Sequence, residues 1–224
     1  MASGDGGASW SALAHQPDFG KFGTGNAPPA DIELLRPSAR VGYVLIPGAD
    51  LPPTGTRQPG VLALTTDGGT SWVTGQPPCA DRQEVLAADS PADLWLFCSG
   101  EPATDMVPKS VYRSGDFGRH WSVAAAVDAD QGLPTTGSVP LLGVIDFAMA
   151  TGPSTAWLGL DRSGLWATYD GGQHWSQPFA FGFDCFFSAG THLGSDLAWV
   201  VAARTIWHTS DGRSWHTVGP AASC

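Results

Sequence analysis

Glutamate and lysine are nearly missing from this chain of 224 residues: Glu33, Glu84 and Glu101 are its only glutamates, Lys21 and Lys109 its only lysines. The Glu/Lys pairs that decorate helical surfaces are therefore absent. Charged residues make up 14% of the chain, against about 25% in an ordinary soluble domain. The balance of 11 Lys+Arg against 21 Asp+Glu leaves a formal charge of −10 with no basic stripe, which argues against a nucleic-acid partner. No apolar run approaches the roughly 18–20 residues of a spanning helix. Met1-Ala2-Ser3 leads straight into polar glycines, with no basic start and no apolar stretch, so no export signal is expected within this sequence. No closely spaced Cys/His cluster of zinc type occurs, and neither a metal nor a cofactor is expected.

What the chain does contain is 29 Gly, 18 Pro and 10 Trp. Gly and Pro interrupt it at short intervals and leave little room for long helices. A helical bundle is thereby disfavoured, and the length suits one large domain or two small ones. Four cysteines in an acidic, Lys-poor chain point to an oxidising, extracytoplasmic compartment.

A repeat accounts for much of this composition. Thr65-Thr66-Asp67-Gly68-Gly69-Thr70-Ser71-Trp72 recurs as 114–121, ending His120-Trp121, and as 168–175, ending His174-Trp175. A further copy opens the chain at 3–10, and a version one residue shorter closes it at 209–215. The pattern Ser/Thr-x-Asp-x-Gly-x-x-Trp describes a stiffened β-turn: Asp accepts backbone N–H bonds, Gly supplies positive φ, and Trp returns to the hydrophobic layer. The structural residues of the five turns are Asp5 and Trp10, Asp67 and Trp72, Asp116 and Trp121, Asp170 and Trp175, Asp211 and Trp215. Upstream, an aromatic anchors each of 41–45, 93–97, 155–159 and 197–201 (Tyr43, Trp95, Trp157, Trp199). Apolar runs at 32–35, 85–88, 141–150 and 185–188 precede those. Each unit reads as strand, turn, strand, turn, strand, Asp turn, strand. Asp-to-Asp intervals of 62, 49, 54 and 41 residues suit four-stranded propeller blades. The blades are expected over 30–76, 77–126, 139–178 and 182–219, after a partial blade at 1–17 that supplies one strand over 10–15. Variable insertions fall at 47–60, 99–109 and 128–140, and such loops commonly bind on a rigid scaffold.

These octets resemble the Asp-box, or BNR, repeat of sialidases, sortilin-type receptors, xyloglucanases and photosystem II assembly factors, over nearly the whole chain. The resemblance implies a β-propeller of four full blades plus a partial one, and it is weak for activity, because these families do unrelated things. Sialidases carry an arginine triad, a Tyr–Glu nucleophilic pair and an Asp acid/base, with one arginine in an Arg-Ile-Pro motif. The nearest string here is Leu35-Arg36-Pro37, which lacks the central apolar residue, so Arg36 is at best a ligand-binding candidate. Tyr43, Tyr112 and Tyr169 stand at repeat positions, which favours packing over nucleophilic work. A glycosidase needs two carboxylates facing across a cleft. Acids in the innermost strands, Glu33, Glu84, Asp146 and Asp184, are the candidates, with Asp146 and Asp184 first for catalysis and Glu33 and Glu84 for ligand binding. His120, His174, His208 and His216 follow the repeat and are read as structural.

Cys79 and Cys98 frame the first two strands of one unit and are the favoured disulfide. Cys185 and Cys224 then pair with each other, or Cys224 pairs elsewhere. The half-blade at the start implies preceding blades, addition to another blade's edge, or completion by a second chain, and open edges invite association. The leading functional expectation is a non-enzymatic exported module that presents loops to a protein or glycan. The alternative is a glycoside hydrolase of sialidase-like or other propeller type.

Overall fold

The computed structural model describes residues 3, 5, 7–12, 15–17, 32–51, 56–79, 83–103, 106–127, 136–180, 186–202 and 204–219. All regular structure among them is β. It forms four antiparallel four-stranded sheets of propeller-blade type and one two-stranded hairpin. The chain divides into two compact units, Met1–Pro77 and Pro78–Cys224.

The first unit holds β1 (Glu33–Leu35), β2 (Gly42–Ile46), β3 (Ala49–Leu51), β4 (Thr56–Gln58), β5 (Val61–Thr65) and β6 (Val73–Gly75). Its blade has the order β1-β2-β5-β6, and the β3–β4 hairpin occupies the connection between β2 and β5. β2 and β5 supply the buried Val44, Ile46 and Ala63, against which Trp72 packs.

The second unit holds three blades. The first is β7 (Gln83–Ala88), β8 (Leu94–Ser99), β9 (Lys109–Ser114) and β10 (Ser122–Ala126). Next come β11 (Ile145–Ala150), β12 (Ala156–Leu160), β13 (Gly164–Thr168) and β14 (Ser176–Ala180), then β15 (Phe187–Leu193), β16 (Leu197–Ala202), β17 (Thr205–Thr209) and β18 (His216–Val218). β11 touches both β7 and β15, so the first strands of the three blades are neighbours. The second strands read as continuous apolar runs because both their faces are covered. Trp95 and Phe97 share one core with Trp175 of the next blade, and Trp157 meets Trp215 edge-on at 5.6 Å. Trp175 and Trp215 thus each lie on a second-strand aromatic of the blade before.

A disulfide joins Cys79, just ahead of β7, to Cys98 on β8, with Cα atoms 5.8 Å apart. Cys185 and Cys224 lie outside the described residues.

Two expectations are adjusted. β11 begins at Ile145, because Leu141–Val144 are drawn into the connection between blades by bonds described below. β15 runs to Leu193, well past the apolar run, with residues 188–191 exposed. In 1–17 the Asp turn forms and Ser11 takes part in a bridge, while Leu13 and Ala14 of the expected strand lie outside the described residues. Trp10 is 62% exposed.

Candidate functional site

The five Asp turns close on themselves in one way. Asp Oδ1 accepts the Ser or Thr hydroxyl two residues earlier, at 2.8 Å from Ser3 and Thr65, 2.9 Å from Ser114 and 3.0 Å from Thr168 and Thr209. The same oxygen accepts a backbone N–H from the far side of the turn: Ser9, Ser71, His120 and His174 at 2.9 Å, and Ser214 at 2.7 Å in the short copy. Oδ2 takes the side chain of that residue, a hydroxyl in Ser9, Ser71 and Ser214 but the Nδ1 of His120 at 2.5 Å and of His174 at 2.6 Å. An imidazole N–H therefore replaces a hydroxyl, which explains the histidines of these two turns. The donors hold every Asp below the usual carboxylate range, Asp5 at about 2, with the Ser9 side chain the largest cause.

In the four turns from Asp67 onward, the residue after the Asp has φ near +70° (Gly68, Phe117, Gly171, Gly212). Its N–H donates to a carbonyl in the loop between the first two strands of the same blade, from Gly68 to Arg40, Phe117 to Ala92, Gly171 to Ser154 and Gly212 to Asp196 at 2.8–3.1 Å. Sequence reading missed this clamp, whose acceptors share no residue type.

Strand direction puts the Asp turns at one end of each blade. The connections between second and third strands, and between blades, lie at the other end, where the long insertions at 47–60, 99–109 and 128–140 also fall. Here the second unit carries buried charge. Lys109, at the start of β9, is 1% exposed. Its Nζ donates to the carbonyls of Val107 at 3.0 Å and Leu141 at 3.1 Å. Burial lowers its pKa to about 7, against the opposing pull of Asp161. Asp161, in the turn after β12, is buried; its Oδ1 accepts the N–H of Val144, while its own N–H donates to the Val144 carbonyl at 3.0 Å. Lys109 and Asp161 together pin the 141–144 connection. Neither was singled out in the sequence, although a lysine between Val107 and Val111 in a chain with two lysines is a visible signal.

Asp146 stands on β11 at a bulge, and its Oδ2 accepts the N–H of Phe187 at 2.8 Å, tying one blade to the next. Although its side chain keeps an accessible edge, the protein packed around the carboxylate pushes its pKa up to about 6; the Phe187 bond opposes this and Asp161 adds to it. Glu84 lies on β7, 2% exposed and paired in register with Cys98. Glu33 is on β1, in register with Leu45. Asp184 lies outside the described residues. Among the described residues no group of three or more His, Cys, Asp or Glu side chains is arranged to hold a metal ion.

Arg36 belongs to a different place, a groove of about 260 Å³ within the first unit. Trp10, Leu34, Tyr43, Val44 and Trp72 give it apolar walls, and among the described residues Arg36 and Arg40 are its only charged lining. Arg36 uses one nitrogen to hold the Ala39 carbonyl at 3.1 Å. The indole N–H groups of Trp10, Trp121 and Trp175 each donate to the carbonyl of the Gly three residues earlier. That of Trp72 is buried and has no acceptor among the described residues.

No protein-family model matches the chain. No curated protein matches it either. Several solved structures do. YCF48 from Cyanidioschyzon merolae superposes with a TM-score of 0.56 at 12% identity, over 92% of this chain and 61% of that one. The GH74 xyloglucanase from Xanthomonas campestris gives 0.53 at 16% identity, over 82% of this chain and 29% of that one. The chain therefore spans less than two thirds of each of those two proteins, and at such identities the likeness shows the propeller fold alone.

Proposed function

We propose that this protein is a non-enzymatic binding module, an exported propeller scaffold of Asp-box type that receives a protein segment bearing carboxylates in the groove of its first unit. The observation that carries the reading is the groove's chemistry: two arginines, no acid and a buried indole N–H lacking an acceptor, in a protein of net charge −10. An anionic or carbonyl-rich segment supplies the missing acceptors, while Trp10 and Trp72 take an apolar side chain. Of the acids singled out for chemistry, Asp146 is engaged in an inter-blade bond and Glu84 lies in the interior. The disulfide and the absence of a long apolar helix among the described residues fit an extracytoplasmic setting.

The test is a peptide and glycan array probed with the wild-type chain and with Trp10→Ala and Arg36→Ala. Capture of acidic peptides, lost in both variants, supports the reading; selective glycan capture, or binding indifferent to both changes, overturns it. One observation favours the second reading, a glycoside hydrolase: Asp146 holds a raised pKa, as a general acid does. Turnover of any glycoside in a substrate panel, abolished in Asp146→Asn, would establish that alternative.

A further inference from the structure

The last blade carries two histidines that the Asp turns do not explain. His208 on β17 and His216 on β18 are directly opposite in an antiparallel ladder, so both side chains leave the same face of the sheet. Their ring centres are 6.0 Å apart at an interplanar angle of 50°. His120 and His174 each spend Nδ1 on an aspartate. Among the described residues neither ring of the His208/His216 pair enters a hydrogen bond with another side chain or the backbone. β18 is the outer strand of its sheet, His216 is exposed and His208 half-buried, so solvent reaches both. Trp199 lies opposite His208 on its other side, on the same face.

Two neutral imidazoles on facing strands form a bidentate donor set for a borderline divalent cation. Metal–nitrogen bonds of about 2.0–2.1 Å need the two coordinating nitrogens to converge on one point. The 6.0 Å between the ring centres is comparable to the span of two imidazoles that share one cation through bonds of about that length. Imidazole suits Cu²⁺, Ni²⁺ and Zn²⁺, with Cu²⁺ bound most tightly of the three, whereas Ca²⁺ and Mg²⁺ demand oxygen. The geometry points to a cross-strand chelate in which His208 and His216 hold one such cation, its remaining positions open to water or to a donor atom from a partner. This site is separate from the groove of the first unit and does not rest on that reading.

The experiment is calorimetric and fluorescence titration of the full chain with Cu²⁺ in a non-coordinating buffer, with electron paramagnetic resonance of the complex. One tight site is expected, carrying two nitrogen ligands from protein and quenching part of the tryptophan emission. Because the second histidine binds intramolecularly, His208→Gln and His216→Gln should each weaken binding about 100-fold. The double variant should lose the site altogether. Trp199→Phe should keep the affinity and lose most of the quench, and His120→Ser combined with His174→Ser should change neither. Unaltered affinity in both single variants, or a stoichiometry of two that falls to one in each of them as for independent monodentate sites, would overturn the chelate.

Discussion

Replacing Lys109 with Met should abolish a pH dependence that the wild-type protein carries in an unusual direction. The folded-state pKa of Lys109 is about 7, against 10.5 for a free lysine. Between those values the unfolded chain binds a proton that the folded protein does not, so stability rises with pH by about 1.4 kcal/mol per unit. Integrated from pH 7.5 to 9.5, where the proton difference stays close to one, the gain is about 2.5 kcal/mol. At pH 7 and below, the interior holds an ammonium satisfied only by the Val107 and Leu141 carbonyls, and the stabilisation of the neutral amine is lost. The assay is urea unfolding followed by tryptophan emission at half-unit pH steps, for wild type and Lys109→Met. A flat or falling wild-type profile over this range, or the same rise in the Met variant, would refute the reasoning.

Asp146 gives the opposite slope: its folded-state pKa of about 6 exceeds the ordinary 3.8, so the stability it contributes is full below pH 3.8 and lost as pH climbs through 6. Asp146→Asn should remove a decline between pH 4 and 6, about 1 kcal/mol after allowance for its accessible edge, in the same unfolding series. Together with Lys109, this gives the wild type a local stability minimum near pH 6–7. At the Asp turn of the second unit's middle blade, His174→Ser should leave the melting temperature unchanged, because Ser occupies the equivalent position in three sibling turns, whereas His174→Ala should lower it by a degree or two. Gly159→Ala would place its Cβ on the ring of Phe147 and should destabilise by about 1–3 kcal/mol in chemical denaturation. The result against that claim is a Gly159→Ala midpoint equal to wild type.

The blades could be read from the chain because each Asp turn is closed by bonds spanning no more than four residues, and local chemistry leaves a local pattern. The same holds for Tyr112, Trp166 and Trp207, each four residues before the Asp of its turn, which sit on β9, β13 and β17. Asp146 was visible as an acid in an apolar strand, but its bond to the Phe187 N–H crosses 41 residues. Arg36 drew attention through a motif likeness; its groove comes from Trp10 and Trp72 in separate turns meeting β1 and β2.

The amino-acid order by itself determined the Asp turns and the four-strand plan of each blade, since alternation and turn chemistry act over a few residues. Only the tertiary structure decided which charges are buried and which donors lack acceptors. Lys109 shows why: its pKa is depressed by exclusion of water, the Leu141 carbonyl that its amine meets lies 32 residues away, and burial belongs to the packed molecule, not to any stretch of the chain.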